Sequence, residues 1–375
     1  MKTSLPYIIG TVATNAGDIP QITTRWQIAD YLGALKVRLA FGRGSYRVEP
    51  GLYAIGNPCA TDDVLVTANY KLTFDIVRRN LEGLNVWLLV LDTKGVNVWC
   101  AAGKKTFGSA ELIRRIKQVK LHNIVSHRRI IVPQLGAPGI SAAEVRKGSI
   151  PVQQNDKINA SMAISAQNFS QFSRPTKADS GFNVLFGPVR ACDIKEFLNS
   201  GYKATREMRT ATFTFVDRLI LIPVEFILGL KYLASLVVLL LLLSGISQNG
   251  FSITEVIHNL IPITLNSLMA YTAGTVVAPL LLPYLPFRSF SMKGLTVGLV
   301  AFSFMLYMGT TGSWIQSLAW LFVFSALPAF MTMNFTGTSN YTSLSGVLKE
   351  MKIAVPMQIA FGVLAIVIFV TSKFV

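Results

Sequence analysis

One segment concentrates the residue types that do chemistry: Asn97-Val98-Trp99-Cys100-Ala101-Ala102-Gly103-Lys104, just after an apolar run. It presents a single cysteine at a loop-to-helix junction, flanked by small residues and followed by Lys104 and Lys105. Positive neighbours and a helix N-terminus favour the thiolate, the form that ligates metals and attacks electrophiles. Ala101, Ala102 and Gly103 have almost no side chain, which leaves clearance for a large flat ligand against the backbone. The same residues equally suit a buried cysteine in a tight strand–helix joint. Asn97 suits a helix cap, and Trp99 either a ligand wall or a core residue.

The rest of the chain limits what such a thiol does. The 375 residues hold three cysteines, Cys59, Cys100 and Cys192, too widely spaced for a zinc or iron–sulfur motif and too few for a disulfide framework. With only His122, His127 and His258, a multi-histidine metal site is excluded. Neither a Gly-x-Gly-x-x-Gly fingerprint nor a Walker A motif occurs. Metal or redox chemistry therefore needs a cofactor to bring the metal and another protein to bring electrons. Cys59 and Cys192 read as small buried hydrophobes.

The elements that must position the segment alternate between strand and helix from about residue 50. Leu52–Ile55 and Val64–Thr67 read as strands, Phe74–Leu81 as helix, and Val86–Leu91 as a buried parallel strand. Ala110–Val119 has helical spacing; Ile130–Val132, Gly139–Val145 and Val184–Phe186 continue the series, and Asp193–Leu198 starts another helix. The pattern is a Rossmann-like α/β domain. Ligands of such folds lie beyond the carboxyl ends of the strands, which directs attention to Asn57-Pro58-Cys59, Thr67-Ala68-Asn69, Asp92–Gly95, Pro133–Ala137 and Gly187–Val189. Thr67, Asn69, Gln134, Gly136, Gly187 and Pro188 are the further ligand candidates there. Residues 150–180 are polar and Ser/Asn/Gln-rich, a flexible loop or a small insertion.

Charge divides the chain in two. Residues 1–218 carry 29 of 35 Lys/Arg and 16 of 19 Asp/Glu, whereas residues 219–375 carry 6 and 3. A break this sharp means two solvents, and the second half belongs in a bilayer, which an apolar stretch of about 20 residues spans. Five spans are expected, near 224–246, 260–285, 294–311, 314–333 and 353–372, the first extended by an interfacial helix from about Thr212. The expected division is an N-terminal extension over 1–48, an α/β domain over 49–211 and an all-α transmembrane domain of five helices over 212–375. Arg288 and Lys293 follow the second span, and Lys349 and Lys352 the fourth; the other two connections lack Lys and Arg. The positive-inside rule then puts the α/β domain in the cytoplasm and the C-terminus outside the inner membrane. Met1–Gly17 lacks the pattern of a cleavable signal. The spans read as an anchor, since spans three to five place no ionisable residue at mid-depth and span two offers only Asn266 with several Pro and Gly. The formal charge of +16 suits anionic lipid headgroups or an acidic partner; nucleic acid is excluded by the lack of any recognition motif.

The octet 97–104 resembles the cap-helix motif of the HgcA family, the membrane-anchored corrinoid proteins of microbial mercury methylation, at all eight positions. VLVTANYKLTFD, LVLDTKG, KTFGSAELIRRI, HRRIIVPQLGAPG and FNVLFGPVRACD are similar to that family as well, so the resemblance covers most of residues 50–375. More distantly, the α/β domain resembles the corrinoid-binding domain of the corrinoid iron–sulfur protein of the acetyl-CoA pathway. It lacks the Asp-x-His-x-x-Gly signature of histidine-ligated corrinoid modules.

The resemblance implies a base-off, cobalamin-type corrinoid whose cobalt takes Cys100 as lower axial ligand. Asn97, Val98, Trp99, Ala101, Ala102, Gly103 and Lys104 then surround the cofactor, Lys104 through a corrinoid amide or tail phosphate or as a solvated residue. It further implies methyl transfer to mercury(II) as a carbanion equivalent, because a thiolate pushes electron density through the metal. Cobalt must afterwards return from the +3 to the +1 state, which implies a small ferredoxin-like partner with two 4Fe–4S clusters (HgcB) as electron donor that can also carry mercury, and an upstream methyl-donor protein. Two alternatives stay open: a membrane-bound corrinoid methyltransferase with another acceptor, and a transporter or receptor with an α/β sensing domain.

Overall fold

The structure is a computed structural model and describes residues 5–150, 181–248, 250–338 and 344–374. The polar stretch from 151 to 180 lies outside the described residues. The chain divides into two units, one of residues 1–37 and 41–211 and one of residues 212–375 together with the short stretch Arg38–Ala40.

The N-terminal unit is built on one sheet, seven-stranded among the described residues. Its strands are β1 (Ile8–Thr14), β2 (Gly17–Ile22), β3 (Gly51–Ile55), β4 (Val64–Ala68), β5 (Val86–Leu91), β6 (Arg129–Val132) and β7 (Asn183–Phe186), in the spatial order β1-β2-β3-β5-β4-β6-β7. Its helices are α1 (Ile28–Arg38), α2 (Lys71–Asn80), α3 (Val98–Gly103), α4 (Ser109–Gln118), α5 (Ala142–Gly148) and α6 (Ile194–Asn199). Strands β5, β4, β6 and β7 run parallel, the doubly wound arrangement expected of the alternating pattern. Every residue of β5 is buried because helices cover both faces. Trp87, Leu89 and Leu91 join one core with Leu112 and Ile116 of α4; Val86, Leu88 and Val90 join a second with Phe74 of α2 and Phe197 of α6. Each such side chain stabilises the fold by about 1.5–3 kcal/mol relative to exposure.

Two features differ from the expected parallel sheet. β5 pairs in parallel with β4 but antiparallel with β3, Ile55 lying opposite Val86. The carboxyl end of β3 therefore lies at the amino ends of β4 and β5. The Asn57-Pro58-Cys59 loop belongs to the end of the sheet away from the other candidate loops, where the Cys59 carbonyl accepts from Trp87 Nε1 at 2.9 Å. Residues 8–22 form an antiparallel hairpin, and its β2 extends the sheet beside β3. This N-terminal part is tied down by a buried ionic cluster: Arg78, fully buried, donates to Asp30 and Asp75 and to the carbonyls of Thr23 and Arg25. Gly139–Val145, expected to continue the series, straddles a 3₁₀ turn (Gln134–Gly139) and the start of α5.

The C-terminal unit contains, among the described residues, five helices long and apolar enough to cross a membrane: Phe215–Ser244, Ile253–Leu281, Phe290–Tyr307, Trp314–Asn334 and Gly346–Thr371. The count and order match the expected spans. The first starts earlier than 224 because Thr214 and Asp217 form a reciprocal capping box. Lys293, Lys349 and Lys352 lie within the opening turns of the third and fifth helices rather than in connecting loops. Asn266 is fully buried and satisfied: its amide donates to the carbonyls of Pro262 and Thr310 and accepts from Thr310 Oγ1. Small residues bring the helices together; a Cβ on Gly274 would come within 2.6 Å of Pro328 Cα.

Candidate functional site

The sheet reverses its winding at β4. The chain leaves β4 through α2 to β5 on one side, then crosses back to β6 on the other. Doubly wound sheets open a crevice at that switch point, beyond the carboxyl ends. A cavity of about 260 Å³ occupies this place, bounded by β4, β6, α2, the loop after β7 and the first turn of α3. Its volume is slightly below the roughly 300–1,000 Å³ typical of small-molecule sites. Leu65 and Thr67 of β4 share one face of the strand, the face that carries the α2 and α6 core.

Of the sequence candidates, Thr67, Asn97, Val98, Trp99, Gly187 and Pro188 line this cavity. Thr67 is 1% exposed and its Oγ1 has no hydrogen-bond partner. A buried hydroxyl left without a partner costs about 1–3 kcal/mol, and Thr67 carries one on a residue of the cavity wall. Trp99 is 40% exposed, which makes it wall rather than core.

Cys100 sits on α3 next to these lining residues and is exposed. The helix is short, and its start depends on Asn97, whose Oδ1 accepts from the Cys100 backbone N–H at 2.9 Å. The loop before it is held by Asn69, which is buried: its Oδ1 accepts from the Thr93 N–H, the Thr93 hydroxyl and the Gly95 N–H at 2.9–3.0 Å. Gly95, at φ +74°, turns the chain back toward α3. Asn69 Nδ2 also donates to Asp92. Burial alone would raise the Asp92 carboxyl, but hydrogen bonds from the Lys94 ammonium and backbone and from Asn69 hold it below its ordinary value. Asn69 is thus a holder of the loop, its amide making four hydrogen bonds, and it does not line the cavity.

Ala101 and Ala102 are buried in the core instead of giving clearance to a ligand. Their size serves packing of α3 on the 3₁₀ turn, where a Cβ on Gly139 would overlap the Phe107 carbonyl oxygen and come within 3.2 Å of Ala102 Cα. Gly103 is exposed with open space around its Cα, and Lys104 is exposed. Gln134 and Gly136 do not line the cavity; a Cβ on Gly136 would overlap the Phe107 ring, so this glycine seats the turn beneath α3. Pro133 and Leu135, their neighbours, do line it.

Cys59 and Cys192 are exposed, contrary to the buried roles expected. Cys192 belongs to a 3₁₀ turn and donates to Asp193 at 3.3 Å; burial and Asp193 push its thiol up. Among the lining residues that sequence reasoning missed are Thr73, Ile76 and Val77 of α2 and Arg190 and Ala191 after β7. The last two continue the Gly187–Val189 loop, a signal already in the sequence. The α2 residues carry none, because their exposure depends on how the helix rests on β4. Among the described residues no cluster of three His, Cys, Asp or Glu side chains suits a metal ion.

Residues 39–163 match the family model of the CO dehydrogenase/acetyl-CoA synthase delta subunit. The chain is also similar to acetyl-CoA decarbonylase/synthase complex subunit gamma of Methanocaldococcus jannaschii, 39% identical over 116 residues, which is 30% of this chain and 23% of the relative. The subunit of that name from Archaeoglobus fulgidus is 35% identical over 108 residues, 28% of this chain and 23% of the relative. The match to each of these two curated relatives thus spans less than a quarter of the relative's length. The matched family region contains α3 and β3 to β6 but neither the Gly187-Pro188 loop nor the five apolar helices.

Proposed function

We propose that this protein is a membrane-anchored corrinoid-dependent methyltransferase that methylates mercury(II), with Cys100 as the lower axial ligand of the cobalt in a base-off corrinoid. One observation carries the reading: a capped helix presents an exposed thiol beside a switch-point cavity whose wall holds the unpartnered hydroxyl of Thr67. The similarity to acetyl-CoA decarbonylase/synthase subunits supports it, since it falls on the region that resembles the corrinoid-binding domain of the acetyl-CoA pathway.

The residues present fit such a group. Cys100 offers a soft donor suited to a cofactor metal. Thr67 offers a buried polar contact for an amide or phosphate of the cofactor, and Trp99 an exposed aromatic wall. When bound, the corrinoid supplies a methyl group that leaves with its bonding pair, the only form in which an electrophile such as mercury(II) accepts it. The chain's own part is positioning: Asn97 holds the first turn of α3, Asn69 holds the loop before it, and Pro133, Leu135, Gly187 and Pro188 keep the cavity wall apolar and exclude water. Lys104 and Lys105, both exposed, make the approach to the thiol electropositive. An external ferredoxin-like donor (HgcB) and an upstream methyl-donor protein complete the reading. The α/β unit faces the cytoplasm from the inner membrane.

The test is anaerobic loading of the full-length protein in detergent with cobalamin, read by its visible spectrum, with methylmercury assayed in parallel. Wild type takes up corrinoid with a spectrum shifted by sulfur ligation. Cys100→Ala loses that shift and all methylmercury formation, and Cys100→His keeps the corrinoid but loses transfer to mercury, imidazole being the weaker donor. A folded chain that binds no corrinoid, or a Cys100→Ala spectrum like wild type, overturns the proposal. The names of the relatives favour one second reading, a different methyl acceptor, which a sulfur-ligated corrinoid without mercury methylation would select.

A further inference from the structure

The first described helix of the chain is amphipathic in an unusual sense: its apolar stripe faces outward. α1 rests on the protein through Asp30, Ala34 and Val37, which are buried. Ile28, Tyr31, Leu32 and Leu35 are 79%, 53%, 61% and 55% exposed. Their spacing of three, four and seven residues puts them within about 100° of the helix circumference. Phe41, just beyond the helix, is 57% exposed as well. At about 100° per residue, Lys36 and Arg38 lie about 80° to either side of the middle of the stripe.

The charges around it are of one sign. Between Arg25 and Arg47 the sequence has five cations, Arg25, Lys36, Arg38, Arg43 and Arg47, and one acid, Asp30. Asp30 is turned inward, paired with Lys71 and Arg78. Trp26 packs edge-on against Tyr31, with ring centroids 5.0 Å apart, and Arg79 lies over the Trp26 ring. An apolar stripe flanked by cations with aromatic side chains at one end matches a helix lying in the headgroup region of an anionic bilayer, the long basic side chains reaching outward to phosphates.

We infer that α1 docks on the membrane surface through Ile28, Tyr31, Leu32 and Leu35, with Lys36 and Arg38 on acidic lipid headgroups. Charge decides for a bilayer against a second copy of this chain: two such faces would bring like charges together around the apolar contact. The α/β unit ends at Ala211 and the first apolar helix begins at Phe215, a tether that keeps the local lipid concentration high. This inference rests on the membrane reading of the five helices and not on the methyltransferase chemistry.

The test uses the full chain with Cys59, Cys100 and Cys192 replaced by Ser, carrying Leu32→Cys or, as control, Lys117→Cys on the exposed face of α4. Each is labelled with an environment-sensitive fluorophore and reconstituted into phosphatidylcholine–phosphatidylglycerol vesicles with nitroxides at shallow acyl positions. The label at 32 is expected to blue-shift and to be quenched at least about twofold more than that at 117, as burial at the headgroup–acyl boundary requires. Equal quenching at the two sites overturns the proposal. A blue shift at 32 without nitroxide quenching also overturns it, and a disulfide between two unlabelled Leu32→Cys chains then assigns the stripe to a second copy. Retention of the chain in vesicles after alkaline washing reports separately on the five spans.

Discussion

Asn97 Oδ1 accepts a hydrogen bond from the backbone N–H of Cys100, at 2.9 Å, so the residue that begins the helix also fixes the residue that carries the thiol. Replacing the cap removes that support without touching sulfur. Asn97→Ala is expected to lower stability by about 1 kcal/mol, the usual value of an N-cap, and to broaden the corrinoid spectrum as Cys100 loses its fixed position. Asn97→Ser, which can cap, should restore both. A thermal melt with parallel spectra decides; a spectrum that recovers only with Asn at this position would show a direct contact from its side chain to the cofactor.

Thr67→Val separates a ligand contact from a structural one. The hydroxyl is buried and has no partner, so its removal is expected to leave the free protein as stable as wild type or slightly more so. Corrinoid binding should weaken about fivefold, the equivalent of about 1 kcal/mol for one hydrogen bond. Titration of the full-length protein with cobalamin measures the affinity, and unchanged affinity would remove Thr67 from the site.

Asp92 gives a pH signature. Its carboxyl is held below the ordinary value of 3.8 in the folded protein, so its ionised form is favoured by folding. That contribution is fully present above the unfolded value and is lost as the pH falls through the folded one. The difference in thermal midpoint between wild type and Asp92→Asn is expected to stay constant from neutral pH down to about 5 and to shrink below about 4. A difference that grows in acid would contradict the sign. Asn retains an oxygen to accept from the Asn69 amide and the Lys94 N–H, so the substitution removes only the charge and the ion-paired hydrogen bond from the Lys94 ammonium to Oδ2.

Orientation is open to a reporter. A phosphatase active only outside the cytoplasm, fused after Val375, is expected to be active, because the basic residues cluster near the second-to-third and fourth-to-fifth connections. An active reporter in the loop between Tyr284 and Ser289, with an inactive one at the C-terminus, would reverse the topology.

Much of this was legible in the residues because it is local. The charge break near residue 218 separates two compositions, and the five mostly apolar helices of 18–30 residues behind it satisfy their backbone groups internally whatever surrounds them. The parallel core strands announce themselves through continuous Val, Leu and Ile runs, since a strand covered on both faces has no polar side. Asn97 and Cys100 are three residues apart, so the cap could be read from spacing alone.

Only the tertiary structure decided what depends on neighbours distant in the chain. A strand's own sequence does not state the direction of its partner: β3 lies antiparallel to β5, which sends Cys59 to the far end of the sheet from Cys100. Small residues mean room for a ligand or room for backbone packing, and at Ala101 and Ala102 the close approach of Gly139 chose the second. Thr67 and Asn69 are two apart at one strand end, yet one hydroxyl is left without a partner and one amide makes four hydrogen bonds, because hydrogen bonding depends on which loop folds over each. Composition marked out the five apolar helices and periodicity determined the elements; the site itself is a matter of which ends meet, and that is settled by burial of the two core faces across the whole sheet.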